Sequence, residues 1–149
     1  AQERHLTGLR GASERLQLVE ADLGVPDSFD EAVVGCEYVI HTASPYVIDV
    51  EDPQRDLLEP AVKGTLSVLK SAEKTTGVKR VVLTSSFAAV SSGPKDVLWT
   101  EDDWNNTSTL DSGAYAYSKT MTEEAASTKK YPDLGAGRRR LVSQVHVSS

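Results

Sequence analysis

The sequence predicts an α/β protein in which helices cover a parallel β-sheet. Short runs rich in β-forming residues alternate with amphipathic helical runs, in the order strand, helix, strand, helix, strand. The third strand candidate is continuously apolar at Val81–Leu83, which is typical of a strand covered on both faces. The chain has 149 residues and no internal repeat, which suits one domain.

The first half of the chain contains two predicted strands with a short helix between them. Leu16–Glu20 alternates polar and apolar residues like a strand. A helix is predicted over Asp27–Val34, and Gly35 ends it. Tyr38–His41 is rich in β-formers and is the second strand.

The longest helix is predicted in the second half, over Pro53–Lys74. Its apolar residues recur at helical spacing, and acidic residues near its N-terminus suit the helix dipole. A third strand over Val78–Thr84, a polar loop over Ser91–Ser112 and a final helix over Ala114–Lys130 follow. Leu141–Val147 alternates like a further strand.

Composition excludes several classes of function. The net charge is -6 with no clustered basic face, which argues against a nucleic-acid surface. The single cysteine, Cys36, allows no internal disulfide and suits a reducing compartment. No run reaches the roughly 18 apolar residues of a membrane span. We therefore expect a cytoplasmic protein without a membrane or nucleic-acid partner, of undetermined oligomeric state.

Polar residues follow each predicted strand, at the edge where parallel sheets bind ligands. These are Asp22-Leu23, Thr42-Ala43-Ser44 and Thr84-Ser85-Ser86. A serine at such a strand end can donate a hydrogen bond to a substrate carbonyl as charge develops on its oxygen. Taken one at a time, all three segments also suit ordinary turns and helix caps.

Tyr115 and Lys119 lie four residues apart on the last predicted helix, within Tyr115-Ala116-Tyr117-Ser118-Lys119. Positions i and i+4 share one helix face, with Cβ atoms about 5–6 Å apart. A lysine ammonium there would stabilise a phenolate and make the tyrosine a usable general acid. The alternative is a solvent-facing pair on an exposed helix.

In this order and spacing, the motifs resemble the extended short-chain dehydrogenase/reductase family, within the NAD-dependent epimerase/dehydratase superfamily. The resemblance covers about Leu16 to Ala126 and is closest to dihydroflavonol reductases, cinnamoyl-CoA reductases and yeast ketoreductases. The supporting runs are Ala21–Leu23, Val39–Pro45, Arg80–Ser86 and Glu101–Trp104. The resemblance implies a partial Rossmann fold and NAD(P)H-dependent reduction of an aldehyde or ketone.

The resemblance also implies roles for individual residues. Tyr115 would be the catalytic acid, Lys119 would support it and hold the nicotinamide ribose, and Ser86, or else Ser85, would orient the carbonyl. The cofactor contacts implied are Asp22, Leu23, Thr42, Ala43, Ser44, Thr84, Ser85, Tyr115 and Lys119. The substrate contacts implied are Tyr46 and Phe87. His41 is expected to be structural, NADP(H) is favoured over NAD(H), and no metal is expected.

The sequence departs from the family in lacking the Gly-rich strand–turn–helix that cradles a pyrophosphate. We therefore expect residues 1–149 to be a partial nucleotide-binding domain, without its first βαβ unit and without a substrate domain. Three other interpretations stay open. They are a sugar-nucleotide epimerase or dehydratase, a hydroxysteroid dehydrogenase of the same superfamily, and a non-catalytic truncated isoform.

Overall fold

The computed structural model describes residues 4–47, 50–91, 93, 96, 98–100 and 102–127. At the N-terminus two single-turn helices, α1 (Arg4–Thr7) and α2 (Ala12–Arg15), precede an irregular segment that extends to residue 37. None of the residues in α1 and α2 is buried. The regular part of the fold begins after this segment.

The sheet of the described residues has two parallel strands, β1 (Tyr38–His41) and β2 (Arg80–Leu83). They pair in register from Tyr38 with Arg80 to His41 with Leu83. A helical connection joins them, as a parallel pair requires. The predicted α/β class and the predicted strand at Tyr38–His41 are therefore confirmed, and β2 is shorter than the predicted Val78–Thr84.

The connecting helix consists of a π-helical turn, Gln54–Leu58, that continues into α3 (Glu59–Lys74). The Asp52 carboxylate caps its start by accepting a hydrogen bond from the Arg55 backbone N–H at 3.0 Å. One face of α3 packs on the sheet. The core cluster consists of Leu69, Ala72 and Val81, with Val39, Leu66, Val78 and Ala126 against it. This helix agrees with the predicted Pro53–Lys74.

The last described helix, α4 (Ala114–Ser127), packs against α3 and against a 3₁₀ turn at Phe87–Ala89. Both helices thus cover the same face of the sheet. The prediction of a helix from Ala114 is confirmed, while its predicted end at Lys130 lies outside the described residues. The strand predicted at Leu141–Val147 also lies outside them.

The loop before α4 is attached to the end of β2 through Asn105, which is only 6% exposed. Its backbone N–H donates to the Ala89 carbonyl at 2.9 Å, and its side-chain amide donates to the Ala88 carbonyl at 2.8 Å. The Asn105 side-chain oxygen in turn accepts from the backbone N–H of Ser108 at 3.1 Å. These bonds hold the polar loop against the 3₁₀ turn and so set where α4 begins.

The strand predicted at Leu16–Glu20 is wrong: residues 16–22 form no strand and are exposed. Leu18 keeps 47% and Val19 keeps 42% of its surface in solvent. A strand needs a neighbour to accept and donate its backbone hydrogen bonds. Within the described residues, β1 pairs only with β2, and no strand lies next to residues 16–20.

The helix predicted over Asp27–Val34 is also wrong, because successive turns replace it. Asp27 adopts a left-handed conformation, with φ of 59°, which prevents a regular helix from starting there. The side chains of Asp27 and Asp30 instead accept hydrogen bonds from Lys74 on α3, at 2.6 and 3.0 Å. Tertiary contacts therefore override the local helical pattern.

Candidate active site

The carboxyl ends of β1 and β2 meet α4 in a small recess. Residues that follow both strands line it, together with side chains from α3 and α4. They are Ala43, Ser44, Thr65, Leu83, Thr84, Ser85, Lys119, Thr122 and Glu123. Five residues expected to contact the cofactor are thus brought together: Ala43, Ser44, Thr84, Ser85 and Lys119. Hydroxyl groups and one ammonium dominate its polar lining.

Lys119 is the cationic group of the recess, and only 8% of the residue is exposed. Its Nζ lies 5.6 Å from the centroid of the Tyr115 ring, one helical turn away. Burial lowers the pKa of the Lys119 ammonium, and no carboxylate of the described residues forms an ion pair with it. The predicted tyrosine–lysine pair is therefore a real contact, and the lysine is almost completely enclosed by protein.

The opposite side of Tyr115 borders an open groove. The Tyr46 ring meets the Tyr115 ring edge to face, with centroids 5.3 Å apart and planes at 88°. The groove is lined by Tyr46, Val47, Val50, Glu51, Pro53, Leu57, Leu110, Asp111, Gly113, Ala114 and Tyr115. Tyr115 thus lines a groove of mainly apolar and aromatic residues with two carboxylates, and it lies beside the lysine that lines the recess.

The two serines after β2 have different partners. Ser85 lines the recess, and its hydroxyl donates a 2.7 Å hydrogen bond to Oε2 of Glu123. Ser86 is not among the residues that line the recess; its Oγ caps the 3₁₀ turn by accepting from the Ala88 backbone N–H at 3.2 Å. The Ser85 hydroxyl therefore already donates its proton to Glu123. The Ser86 hydroxyl only accepts a hydrogen bond from Ala88, so its proton can be donated to a ligand.

His41 is buried at the end of β1, with 6% of the residue exposed. Its Nε2 lies 3.1 Å from Oγ1 of Thr65 on α3. Burial lowers the pKa of His41, and the nearby Lys119 charge lowers it further. The prediction of a packed, hydrogen-bonded structural histidine is confirmed.

The other residues with a predicted role lie outside the recess. Asp22 forms a turn of its own, with its carboxylate accepting from the Gly24 backbone N–H at 2.7 Å. Leu23 packs against Gly64 of α3. Thr42 is exposed, and Phe87, at 51% exposure, begins the 3₁₀ turn. Asp22 and Leu23 therefore do not line the recess with the other predicted contacts.

Four recess residues were not predicted: Thr65, Leu83, Thr122 and Glu123. The signal for Glu123 was present in the sequence, because it follows Lys119 by four residues and so continues the face that carries Tyr115 and Lys119. The signal for Thr65 was absent. Its place depends on how α3 packs over β1, which the local pattern does not specify.

The sequence matches the 3-beta hydroxysteroid dehydrogenase/isomerase family over residues 4–131. The chain belongs to this family. Its relatives include cinnamoyl-CoA reductase CAD2 of Medicago truncatula, which is 50% identical over 131 residues. That match covers 82% of this chain and 39% of the relative, so the chain spans about two-fifths of the length of such proteins.

Solved structures of family-like reductases agree with the fold. Vestitone reductase from alfalfa (Medicago sativa) superposes with a TM-score of 0.66 at 43% identity, over 80% of this chain and 38% of that one. The yeast methylglyoxal/isovaleraldehyde reductase Gre2, complexed with NADPH, gives a TM-score of 0.62 at 39% identity, over 70% of this chain and 35% of that one. The predicted resemblance to the reductases of this superfamily is confirmed, and the β1–β2 unit is part of a Rossmann-type sheet.

Proposed function

We propose that the gene product that carries this chain reduces an aldehyde or ketone to an alcohol, with NAD(P)H as the reductant. One observation carries the proposal. Tyr115 lines a largely apolar groove, Lys119 lines a hydroxyl-rich recess, and the Lys119 Nζ lies 5.6 Å from the centroid of the Tyr115 ring. The two cavities suit two ligands that must meet at one reacting atom, with a proton donor between them.

In this proposal Tyr115 donates its phenolic proton to the carbonyl oxygen, while the bound nicotinamide supplies the hydride. The Lys119 ammonium stabilises the phenolate that is left. Ser86 orients the carbonyl by donating a hydrogen bond to its oxygen. It can do so because its Oγ accepts a hydrogen bond from the Ala88 backbone N–H and its own proton is not used in that bond. Ser85 is proposed to contact the cofactor and not to orient the carbonyl, because its hydroxyl already donates a hydrogen bond to Glu123.

The recess fits part of a nicotinamide cofactor. An ammonium without an ion-pair partner among the described residues lies in it beside the hydroxyls of Ser44 and Thr84, a set of groups that can bind ribose hydroxyls. Ala43 adds little bulk at the end of β1, so a ring can approach the backbone there. Asp22 and Leu23 do not line this recess, so they remain proposed contacts for the adenine end of the cofactor.

NADPH is the proposed form of the cofactor, in keeping with the NADPH named for the yeast reductase Gre2. The proposed substrate is a small carbonyl compound that lies in the groove against Tyr46, with Phe87 as a further proposed contact. Tyr46 is 70% exposed and so can offer its ring to a ligand.

A second candidate is oxidation of a hydroxysteroid, which the family match favours by its description. The same pair would then work in reverse, with Tyr115 accepting the proton of the alcohol. Initial rates of the purified gene product with aldehydes and ketones in one direction, and with hydroxysteroids in the other, distinguish the two candidates.

The test of the proposed function uses the complete gene product and Tyr115→Phe. We expect carbonyl-dependent oxidation of NADPH to fall about 10²–10⁴-fold, since general acid catalysis is worth that much. The dissociation constant for NADPH should change little, because only the phenolic oxygen is lost. Tyr117→Phe on the same helix is the control and should retain activity. Turnover by Tyr115→Phe above about a tenth of the parent rate would overturn the assignment.

A further inference from the structure

Glu123 is a buried acid that the proposed reaction does not use. Only 4% of the residue is exposed, and it lines the same recess as Lys119. Burying a carboxylate costs free energy unless hydrogen bonds compensate for the lost water. The 2.7 Å hydrogen bond that Ser85 donates to Oε2 of Glu123 is such a compensation.

This hydrogen bond joins the two elements that carry the proposed chemistry. Ser85 lies two residues after the end of β2 and precedes Ser86, while Glu123 lies on α4 one turn beyond Lys119. Tyr115, Lys119 and Glu123 are spaced at i, i+4 and i+8, so they lie along one face of α4. The Ser85–Glu123 bond therefore fixes the end of β2 against that face, across 38 residues of sequence.

We propose that Glu123 is a positioning residue that acts through Ser85: it holds the turn carrying Ser86 in register with Tyr115 and Lys119. The inference rests on the proposed function. A charged hydrogen-bond acceptor suits this role, because such bonds are shorter and stronger than neutral ones and constrain geometry more tightly. The effect expected is on the reacting geometry, where small displacements reduce the rate steeply.

A direct electrostatic effect of Glu123 on Lys119 is a different role, and the structure argues against it. No ion pair joins the two side chains within 4 Å, and burial is the cause of the lowered pKa of Lys119. The two roles also predict different behaviour. Positioning through Ser85 leaves the shape of the pH–rate profile unchanged, whereas an effect on Lys119 would move it.

The experiment is a double-mutant cycle in the complete gene product, with Ser85→Ala, Glu123→Ala and the double variant. Each single variant should lower kcat about tenfold, as expected for loss of one hydrogen bond to a charged group. For Glu123→Ala the KM for NADPH should change less than about twofold, and the double variant should have a kcat no more than about threefold lower than that of either single variant. Melting temperatures of all variants identify any protein that fails to fold.

Two further variants separate position from charge. Glu123→Gln keeps an oxygen that accepts the Ser85 hydroxyl, so it should recover most of the rate with an unchanged pH–rate profile. Glu124→Ala removes the adjacent carboxylate, which is exposed, and is the matched control with parental kinetics. Ser85→Ala tests the same bond without touching the acid, so the proposal does not depend on Glu123→Ala being stable.

A folded Ser85→Ala variant with the parental kcat would overturn the positioning role. So would a double variant whose loss of kcat equals the product of the two single losses, and either result would leave the proposed function intact. A shifted pH–rate profile in Glu123→Gln would replace it with an electrostatic role. If the parent protein itself reduces no carbonyl compound, the proposed function fails and this inference with it, which is a distinct result from an active parent with uncoupled variants.

Discussion

The N-terminal region (residues 4–37) and the β1–α4 unit (residues 38–127) differ in how much apolar surface they bury. In the N-terminal region Leu9, Val25 and Val34 keep 61%, 52% and 72% of their surface in solvent. In the β1–α4 unit Leu69 and Val81 keep 5% and 2%. The unit with its own core also holds Tyr115 and Lys119 together. The part of the proposed site that would bind the carbonyl group therefore belongs to a unit with its own hydrophobic core.

The N-terminal region is held on α3 by a few specific contacts. Lys74 binds the carboxylates of Asp27 and Asp30, and Ser71 donates a further hydrogen bond to Asp30. Leu23 lies against Gly64, where no side chain intervenes. Asp22 and Leu23 are therefore placed by surface ion pairs and one close packing contact, both of which depend on α3.

The largest effect on activity is expected from removal of the Lys119 ammonium in the β1–α4 unit. Lys119→Met keeps the buried length of the side chain and removes its charge. We expect turnover to fall about 10²-fold or more and NADPH binding to weaken at the same time, because one ammonium is proposed to serve both the phenolate and the ribose. Lys70→Met, at an exposed position of α3, is the control. Lost turnover with unaltered NADPH affinity would contradict the ribose contact.

The second prediction compares leucines from the two regions. Leu69→Ala should lower the free energy of unfolding by about 2–5 kcal/mol, because it leaves a cavity in the core cluster. Leu18→Ala, at a side chain that is half exposed, should lower it by less than about 1 kcal/mol. Denaturant melts of both variants provide the measurement. Equal losses would show that the N-terminal region is packed as tightly as the core.

A smaller effect is expected where the two regions touch, at Gly64. A Cβ atom at this position would lie 2.9 Å from the Leu23 Cβ, so Gly64→Ala must displace Leu23. Overpacking of this kind costs about 1–3 kcal/mol, against about 1 kcal/mol gained from helix propensity. We expect a small net loss of stability.

The effect of Gly64→Ala on stability should change from a loss to a gain when the Leu23 side chain is removed. In a Leu23→Gly background, which removes the Cβ that the new methyl group would meet, the clash is relieved, so Gly64→Ala should then stabilise the protein through helix propensity. Thermal melts of the four proteins measure the coupling. Independent effects of the two substitutions would show that Leu23 does not dock on α3.

The smallest effect concerns pH and His41. The pKa of folded His41 is lowered by burial, so the unfolded chain takes up a proton first as the pH falls through about 6.5. Unfolded molecules then bind more protons than folded ones, so stability decreases from about pH 6.5 down to the folded pKa. His41→Gln should flatten this part of the pH–stability curve. A slope that persists unchanged in the variant would assign it to another group.

Within the described residues, no helix is both long and apolar enough to cross a bilayer.

The sequence by itself determined the α/β class, β1, α3 and the start of α4, because their residues agree with the local period and with what the fold buries. It also brought Tyr115 and Lys119 together, since i and i+4 are neighbours on any helix. Tertiary structure decided the rest. Residues 16–20 form no strand because no strand lies beside them in the described part of the chain. The Ser85–Glu123 contact joins positions 38 residues apart, so which side chains meet there depends on how α4 packs against the segment that follows β2.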